Sequence, residues 1–334
     1  MTTLLETRYR AVLRLLPAYY RQAREEEMVE TYLWDLDRDT QDQSRPTLGE
    51  TASVAALALR SRLAASGAPR RYALLGSTAR HFALFAVLLQ ATAALVDRVL
   101  GLTWASTHGS SQWDMFVSAF TDQGPLFGVV EVAEWALPLL WTVGFFALVH
   151  DRRRLARTSV LLAALPTLWP FVGPLVSDSV VPSDLWFAVV TALFAWLSAL
   201  ALCAAYHRDA PAAALPVGSP GLVFAAFAVV TGASIVLLPG APDTAWAPAT
   251  CFLVGAVGWL VLRSRSADRG PAGGAVALAA LGLLLLAVRV AALYPWLGLP
   301  LPAVYLGGAL GQVAGLTLLV VVLGAVARRD LVRH

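Results

Sequence analysis

Lysine is absent from this chain: all 25 basic residues are arginine. That absence removes a Walker A lysine, a Schiff-base lysine and a lysine general base from consideration. Charge of either sign is scarce. Only 14% of the residues are charged, where soluble domains carry about 25%. With 58% hydrophobic residues and a mean hydropathy of +0.65, 334 residues have too little polar surface to face water throughout. Lipid is the expected solvent for most of the chain. Cysteine is reduced to Cys203 and Cys251. Both lie inside apolar runs, at opposite faces of the topology below, so no disulfide is expected. Catalytic signatures are missing as well: there is no HExxH, no cysteine pair at ligand spacing, no GxSxG and no phosphate-cradling glycine loop. The expectation is therefore no enzyme, no cofactor and no metal. His81, His150 and His207 fall at the same ends of three apolar runs, where interfacial side chains are the commoner reading and metal binding the rarer one.

What is present is organised around His150-Asp151-Arg152-Arg153-Arg154-Leu155-Ala156-Arg157. Apolar runs of about 20 residues flank it, each long enough to cross a bilayer as a helix. Four arginines in so short a loop place it on the cytoplasmic side. Eight spans follow, at about 82–102, 127–149, 157–177, 184–206, 221–239, 245–263, 274–294 and 303–326. With that assignment, 23 of the 25 arginines lie on the cytoplasmic side, and the connections on the other side carry Asp114, Asp122, Asp178 and Asp243 without any arginine. Both termini are then cytoplasmic. Trp104, Trp186, Trp246, Trp296 and Tyr294 mark the outer span ends as an aromatic belt would. The first long apolar run begins near His81, so an uncleaved signal anchor is expected rather than a cleaved leader. The arginine-only, alanine- and leucine-rich composition suggests a GC-rich bacterial genome, and hence a multi-pass protein of a bacterial plasma membrane.

Residues 1–80 differ in character, with 12 arginines against 10 acidic residues. Leu5, Tyr9, Val12, Leu13 and Leu16 recur at helical spacing and predict a helix over about 3–16, stopped by Pro17. A second helix is expected over about 18–36, followed by a polar loop over 37–46. Thr47 with Glu50 forms a capping box that opens a third helix, with Leu48, Ala52, Ala55, Leu59 and Leu63 as its apolar stripe. The balanced charge argues against direct nucleic-acid binding. The fold class is thus all-α: a polytopic membrane protein with about eight transmembrane helices (81–334) behind a small cytoplasmic three-helix domain (1–80).

Five charged residues fall inside the spans near their outer ends: Asp97, Arg98, Glu131, Glu134 and Arg289. At 1.5 Å per residue, all sit roughly 6–10 Å below the outer surface. Glu131 and Glu134 share a helix face. Charge at that depth is costly unless paired or wetted, so these residues either line an outward-opening polar site or bridge neighbouring helices. Gly307, Gly311 and Gly315 make two overlapping GxxxG repeats, which serve packing within the chain or a homodimer seam. Gln312 and Gln90 are candidates for hydrogen bonds between helices. In the long connection 103–126, Trp113, Phe116, Val117 and Phe120 predict a short interfacial helix.

The segment Arg8-Tyr9-Arg10-Ala11-Val12-Leu13-Arg14-Leu15-Leu16-Pro17, with Tyr20-Arg21, Glu26-Glu27-Met28 and Arg60-Ser61-Arg62-Leu63, resembles a known prefix domain. The domain it resembles is the helical permease-prefix domain that precedes the spans of many actinobacterial integral membrane proteins. It is also similar to HAAS-type signalling domains associated with PadR-type transcriptional regulators. The resemblance covers about 65 residues. It implies a cytoplasmic interaction module without catalytic residues, whose partner is a regulator protein such as a transcription factor. The leading expectation is a membrane-embedded signalling protein; the alternative is a small-molecule or ion transporter whose site is the outward-facing polar cluster.

Overall fold

The computed structural model describes residues 4–34, 45–63, 68–121, 124–176, 185–207, 210–213, 215, 219–237, 245–265, 273–294 and 303–333. Every regular element among them is helical, and no strand occurs. The N-terminal part is α1 (Leu4–Leu13), α2 (Ala18–Trp34) and α3 (Leu48–Arg62). The residue before a proline disfavours helical geometry, so α1 tightens into i→i+3 bonds over Arg14 to Leu16 before Pro17. The Thr47 hydroxyl accepts the Glu50 amide at 3.2 Å, and the Glu50 carboxylate accepts the Thr47 amide at 2.7 Å, the expected capping box. Leu5, Tyr9, Leu13 and Leu16 of the first apolar stripe are buried. The stripe expected on α3 is not the buried one. Leu48 is 91% exposed and Leu59 48%, while Val54, Ala58 and Ser61 face inward. Both stripes have helical spacing. The small inward set lets α3 approach α1 and α2, and brings the Ser61 carbonyl to the Tyr19 hydroxyl at 2.7 Å. The expected end of helix two and most of the polar loop lie outside the described residues.

The bundle is built on α4 (Arg70–Thr107), a single helix of 38 residues and about 57 Å. It replaces the separate span expected over 82–102. Sequence hydropathy falls off before His81 because arginines occupy the first turns, but nothing there breaks a helix. The remaining elements are α5 (Ser110–Thr121), α6 (Gly124–Ala136), α7 (Leu140–Val149), α8 (Arg153–Ala164), α9 (Trp169–Val176), α10 (Leu185–Ala205), α11 (Pro220–Val236), α12 (Trp246–Arg265), α13 (Gly274–Leu293) and α14 (Ala303–Arg333). Among the described residues, seven helical stretches are long and apolar enough to cross a membrane. The fifth expected span, α11, is an apolar helix of 17 residues, opened by Ser219 accepting the Leu222 amide.

Two spans are interrupted. A 3-10 turn over Leu137–Leu139 separates α6 from α7 at Pro138, and another over Leu165–Leu168 separates α8 from α9 at Pro166. The two turns pack against each other. Proline removes an amide donor and crowds the carbonyl four residues earlier, so these are the positions where a break costs least. α4 is apolar all round in mid-bundle and serves two cores. Leu84, Val87, Leu88 and Ala91 pack with Phe145, Val160, Ala199 and Leu202 of α7, α8 and α10. Ala86 and Leu89 pack with Phe252, Leu281, Leu285 and Leu316 of α12, α13 and α14.

The arginine-rich turn does more than carry charge. Asp151 takes a positive φ of 58°, and its carboxylate accepts the Arg153 Nε at 2.7 Å. Arg153 donates to the carbonyls of His207 and Ala210, and Arg157 to that of Tyr206. Two cations thus satisfy carbonyls that the end of α10 leaves without helical donors. The Tyr206 hydroxyl in turn donates to the Arg80 carbonyl on α4 at 3.2 Å.

Candidate functional site

At the end of the bundle where α4 finishes, α4, α5 and α6 enclose a cleft of about 350 Å³. Its walls include Asp97, Arg98, Trp104, Gln112, Phe116 and Trp135. α4 runs on to Thr107, so Asp97 and Arg98 lie about 14–15 Å from its end, farther than from the end of the shorter expected span. α5 is a helix where the sequence predicts one in this connection. It has no buried residue, and Trp113, Phe116 and Phe120 form a chain of ring contacts at 5.8 and 5.3 Å.

Arg98 is the hub of the cleft. Its Nη1 pairs with Asp97 Oδ2 at 3.3 Å, and its Nη2 donates to the Glu134 backbone carbonyl at 3.1 Å. That carbonyl stands four residues before Pro138, where the missing amide leaves it without its helical donor. Arg98 on α4 therefore supplies, in trans, the hydrogen bond that the proline removed. A carbonyl orphaned in an apolar setting would otherwise cost several kcal/mol, on the order of the unsatisfied-group penalty in lipid. Glu131 and Glu134 are half-buried on α6, and Glu134 interacts electrostatically with both Glu131 and Arg98.

Of the five charged residues expected within the spans, the structure brings Asp97, Arg98 and the Glu134 backbone together. Arg289 sits elsewhere. It is fully buried on α13, with its guanidinium carbon 5.2 Å from the Trp246 ring centroid and 6.0 Å from that of Tyr305. Aromatic faces can stabilise a guanidinium withdrawn from water, and an arginine two aromatics away in space has no signature in linear sequence.

The glycine stripe divides. A side chain at Gly307 or Gly311 would meet nothing within 4 Å, whereas one at Gly315 would meet Leu253 at 3.3 Å. The close approach is made by Gly308, off the stripe, where a Cβ would lie 2.5 Å from the Trp246 ring. Sequence spacing favours the regular repeat and gives no sign of this position. Gly308→Val is expected to push Trp246 off Arg289 and Tyr305 and to destabilise the bundle by about 1–3 kcal/mol, as overpacking does. Thermal unfolding of the two proteins in the same detergent checks this; an unchanged midpoint would contradict it. Gln312 beside it donates to the Trp246 carbonyl at 3.1 Å and to the Thr250 hydroxyl at 2.7 Å, joining α14 to α12. Gln90 is half-buried on α4 and takes no part in that contact.

His81 and His150 each donate Nδ1–H to a carbonyl one turn earlier, at 2.8 and 2.7 Å. Among the described residues no group of three or more His, Cys, Asp or Glu is placed to hold a metal. Cys203 and Cys251 are free thiols.

The end where α4 begins carries the second candidate surface. A groove of about 530 Å³ on the three-helix domain is lined by Tyr20, Glu27, Met28, Tyr32, Glu50 and Leu57, among others. Tyr9 and Tyr32 stack at 3.9 Å between centroids. Burial and the Glu50 carboxylate push the Tyr32 phenol up to about 12, so it stays protonated and donates to Glu50 at 3.2 Å. Trp34 at the end of α2 and Leu48 at the start of α3 are 88% and 91% exposed. Arg10 holds the domain together from the other side by gripping Glu26 through both Nη atoms at 2.8 Å while also pairing with Glu6. That grip keeps the Glu26 carboxyl below the usual range.

Comparison with protein-family models, with curated proteins and with solved structures finds no match to this chain. The functional reading therefore rests on the residues of this chain and their geometry.

Proposed function

We propose that this protein is a bacterial plasma-membrane signalling protein: the N-terminal three-helix domain docks a cytoplasmic regulator protein, and the spans carry the state of the far cleft to it. In this reading both termini are cytoplasmic and the cleft opens outward. The observation that supports it is α4. One helix of 38 residues holds Tyr72 at its start and Asp97, Arg98 and Trp104 near its end. Tyr72 lies 5.1 Å from Tyr19 of α2, and α3 packs against both α4 and α10. A rotation or tilt of α4 at the cleft is thus felt where the three-helix domain sits. The resemblance of this domain to HAAS-type and permease-prefix domains points to the same kind of partner.

The docking surface includes Trp34 and Leu48, whose exposed side chains contribute nothing to the core of the domain. Full-length protein in nanodiscs, used as bait in bacterial lysate, is expected to retain a DNA-binding regulator. The Trp34→Ser/Leu48→Ser double variant is expected to lose it while remaining folded. Equal capture by both proteins, or capture of no specific protein, would defeat the reading.

Transport is the second reading, supported by the paired breaks at Pro138 and Pro166, since interrupted spans at matched depth recur in transporters. It requires substrate flux through reconstituted protein that Glu131→Gln abolishes.

A further inference from the structure

Arg98 has five N–H donors in a rigid fork. Two of its nitrogens serve Asp97 and the Glu134 carbonyl. Among the described residues, its buried Nε has no hydrogen-bond partner, and neither has the buried Gln112 Oε1 on the facing helix, so the polar groups that reach the cleft are the outer ends of Arg98 and Asp97. The Asp97 side chain is 66% exposed and the Arg98 side chain 28%. The cleft thus offers one anion and one cation, set among Trp104, Phe116 and Trp135.

We propose that this cleft binds a small zwitterion. Its anionic group, a carboxylate or a phosphate, is taken by Arg98. Its ammonium is taken by Asp97, whose side chain is exposed, beside the indoles of Trp104 and Trp135. Three considerations select this class. First, Asp97 and Arg98 are already paired with each other. A ligand with a single charge would break that pair and leave one side chain uncompensated, whereas a zwitterion replaces both halves at once. Second, an ammonium gains from the aromatic faces that line the cleft, and an apolar tail gains from the same walls and from Met115. Third, about 350 Å³ is near the lower limit of ligand pockets, roughly 300–1,000 Å³, so the ligand is small.

Two sources share this chemistry: a free amino acid with an apolar side chain, and a phosphoethanolamine lipid headgroup. Binding also bears on the kink. The guanidinium that receives the anion is the one that satisfies the carbonyl freed by Pro138, so occupancy of the cleft and the hinge between α6 and α7 are linked through a single side chain. The inference rests on the reading of the far end as an input site. Its test reads binding directly, so failure of coupling to the N-terminal domain would leave the binding result intact.

Full-length protein in phosphatidylglycerol nanodiscs, which contain no ethanolamine headgroup, is titrated calorimetrically with L-leucine and with glycerophosphoethanolamine. N-acetyl-leucine and leucinamide serve as probes with one charge each. Saturable binding of at least one zwitterion is expected, with the single-charge probes weaker by about tenfold or more, as loss of a charged hydrogen bond implies. Leucine alone binding assigns the free amino acid; glycerophosphoethanolamine alone assigns the headgroup; both binding assigns the shared chemistry. Asp97→Asn, at an exposed side chain, preserves the fold and is expected to weaken the zwitterion by the same factor. Arg98→Gln is expected to do so as well, but it also removes the donor to Glu134, so Asp97→Asn is the deciding variant. No saturable binding of either zwitterion, equal binding of the single-charge probes, or unchanged affinity in Asp97→Asn would overturn the proposal.

Discussion

Replacing Leu75 with proline is expected to sever the two ends of the molecule while leaving each folded. Leu75 lies in the second turn of α4 and its side chain is 52% exposed, so the substitution removes little packing. It does remove the amide that the Arg71 carbonyl uses, and it places a ring against that carbonyl. The cost to a helix interior is about 3 kcal/mol or more. Below the break, Tyr72 still meets Tyr19; above it, Leu84 to Ala91 remain packed in the two cores. The variant is therefore expected to insert normally and to capture the same proteins as the unaltered chain, but to lose the dependence of that capture on a cleft ligand that the proposed function requires. A response equal to that of the unaltered protein would mean that the signal does not travel along α4.

The second large effect lies at the opposite end of α14. Arg263 Nη2 donates to both oxygens of Asp330 at 2.7 Å, with the two side chains only 13% and 12% exposed. The guanidinium also lies 5.2 Å from the Trp259 ring. Asp330→Ala leaves a nearly buried arginine without its carboxylate, a loss on the order of 3–5 kcal/mol. Arg263→Met/Asp330→Leu removes both charges and is expected to recover most of the stability, because the desolvation penalty vanishes with the attraction. Unfolding midpoints of the three proteins in one detergent decide the matter. A single variant as stable as the original would show that the pair contributes nothing.

The sequence carries this architecture unevenly, for identifiable reasons. Apolar runs and arginine placement are properties of single segments, so the spans from α10 to α14 start within a residue or two of where hydropathy puts them. The capping box at Thr47 and Glu50 is equally local, because both groups lie within one turn. The start of α4 is hidden because charge, not helix breaking, ends the hydropathy signal at Arg80. The buried face of α3 is ambiguous because two stripes satisfy the same periodicity, and only contact with α1 chooses Val54 and Ala58 over Leu48 and Leu59. Within the candidate site, charge at a common depth singles out Asp97, Arg98, Glu131, Glu134 and Arg289. Depth along separate helices says nothing of position around the bundle, and Arg289 stands between Trp246 and Tyr305 instead. The bond from Arg98 to the Glu134 carbonyl has one readable sign, the proline four residues on. Which donor answers that proline depends on the packing of α4 against the turn at Leu137–Leu139.

The central claim is that α4 is one uninterrupted helix from the three-helix domain to the far cleft. Amide hydrogen exchange of the full-length protein in nanodiscs measures this residue by residue. If α4 is continuous, the amides from about Leu74 to His81 are protected together with those of the span that follows, and Leu75→Pro removes protection only below the substitution. Exchange over 74–81 as rapid as in an unstructured linker, with protection beginning near Phe82, would contradict continuity and with it the proposed route of the signal.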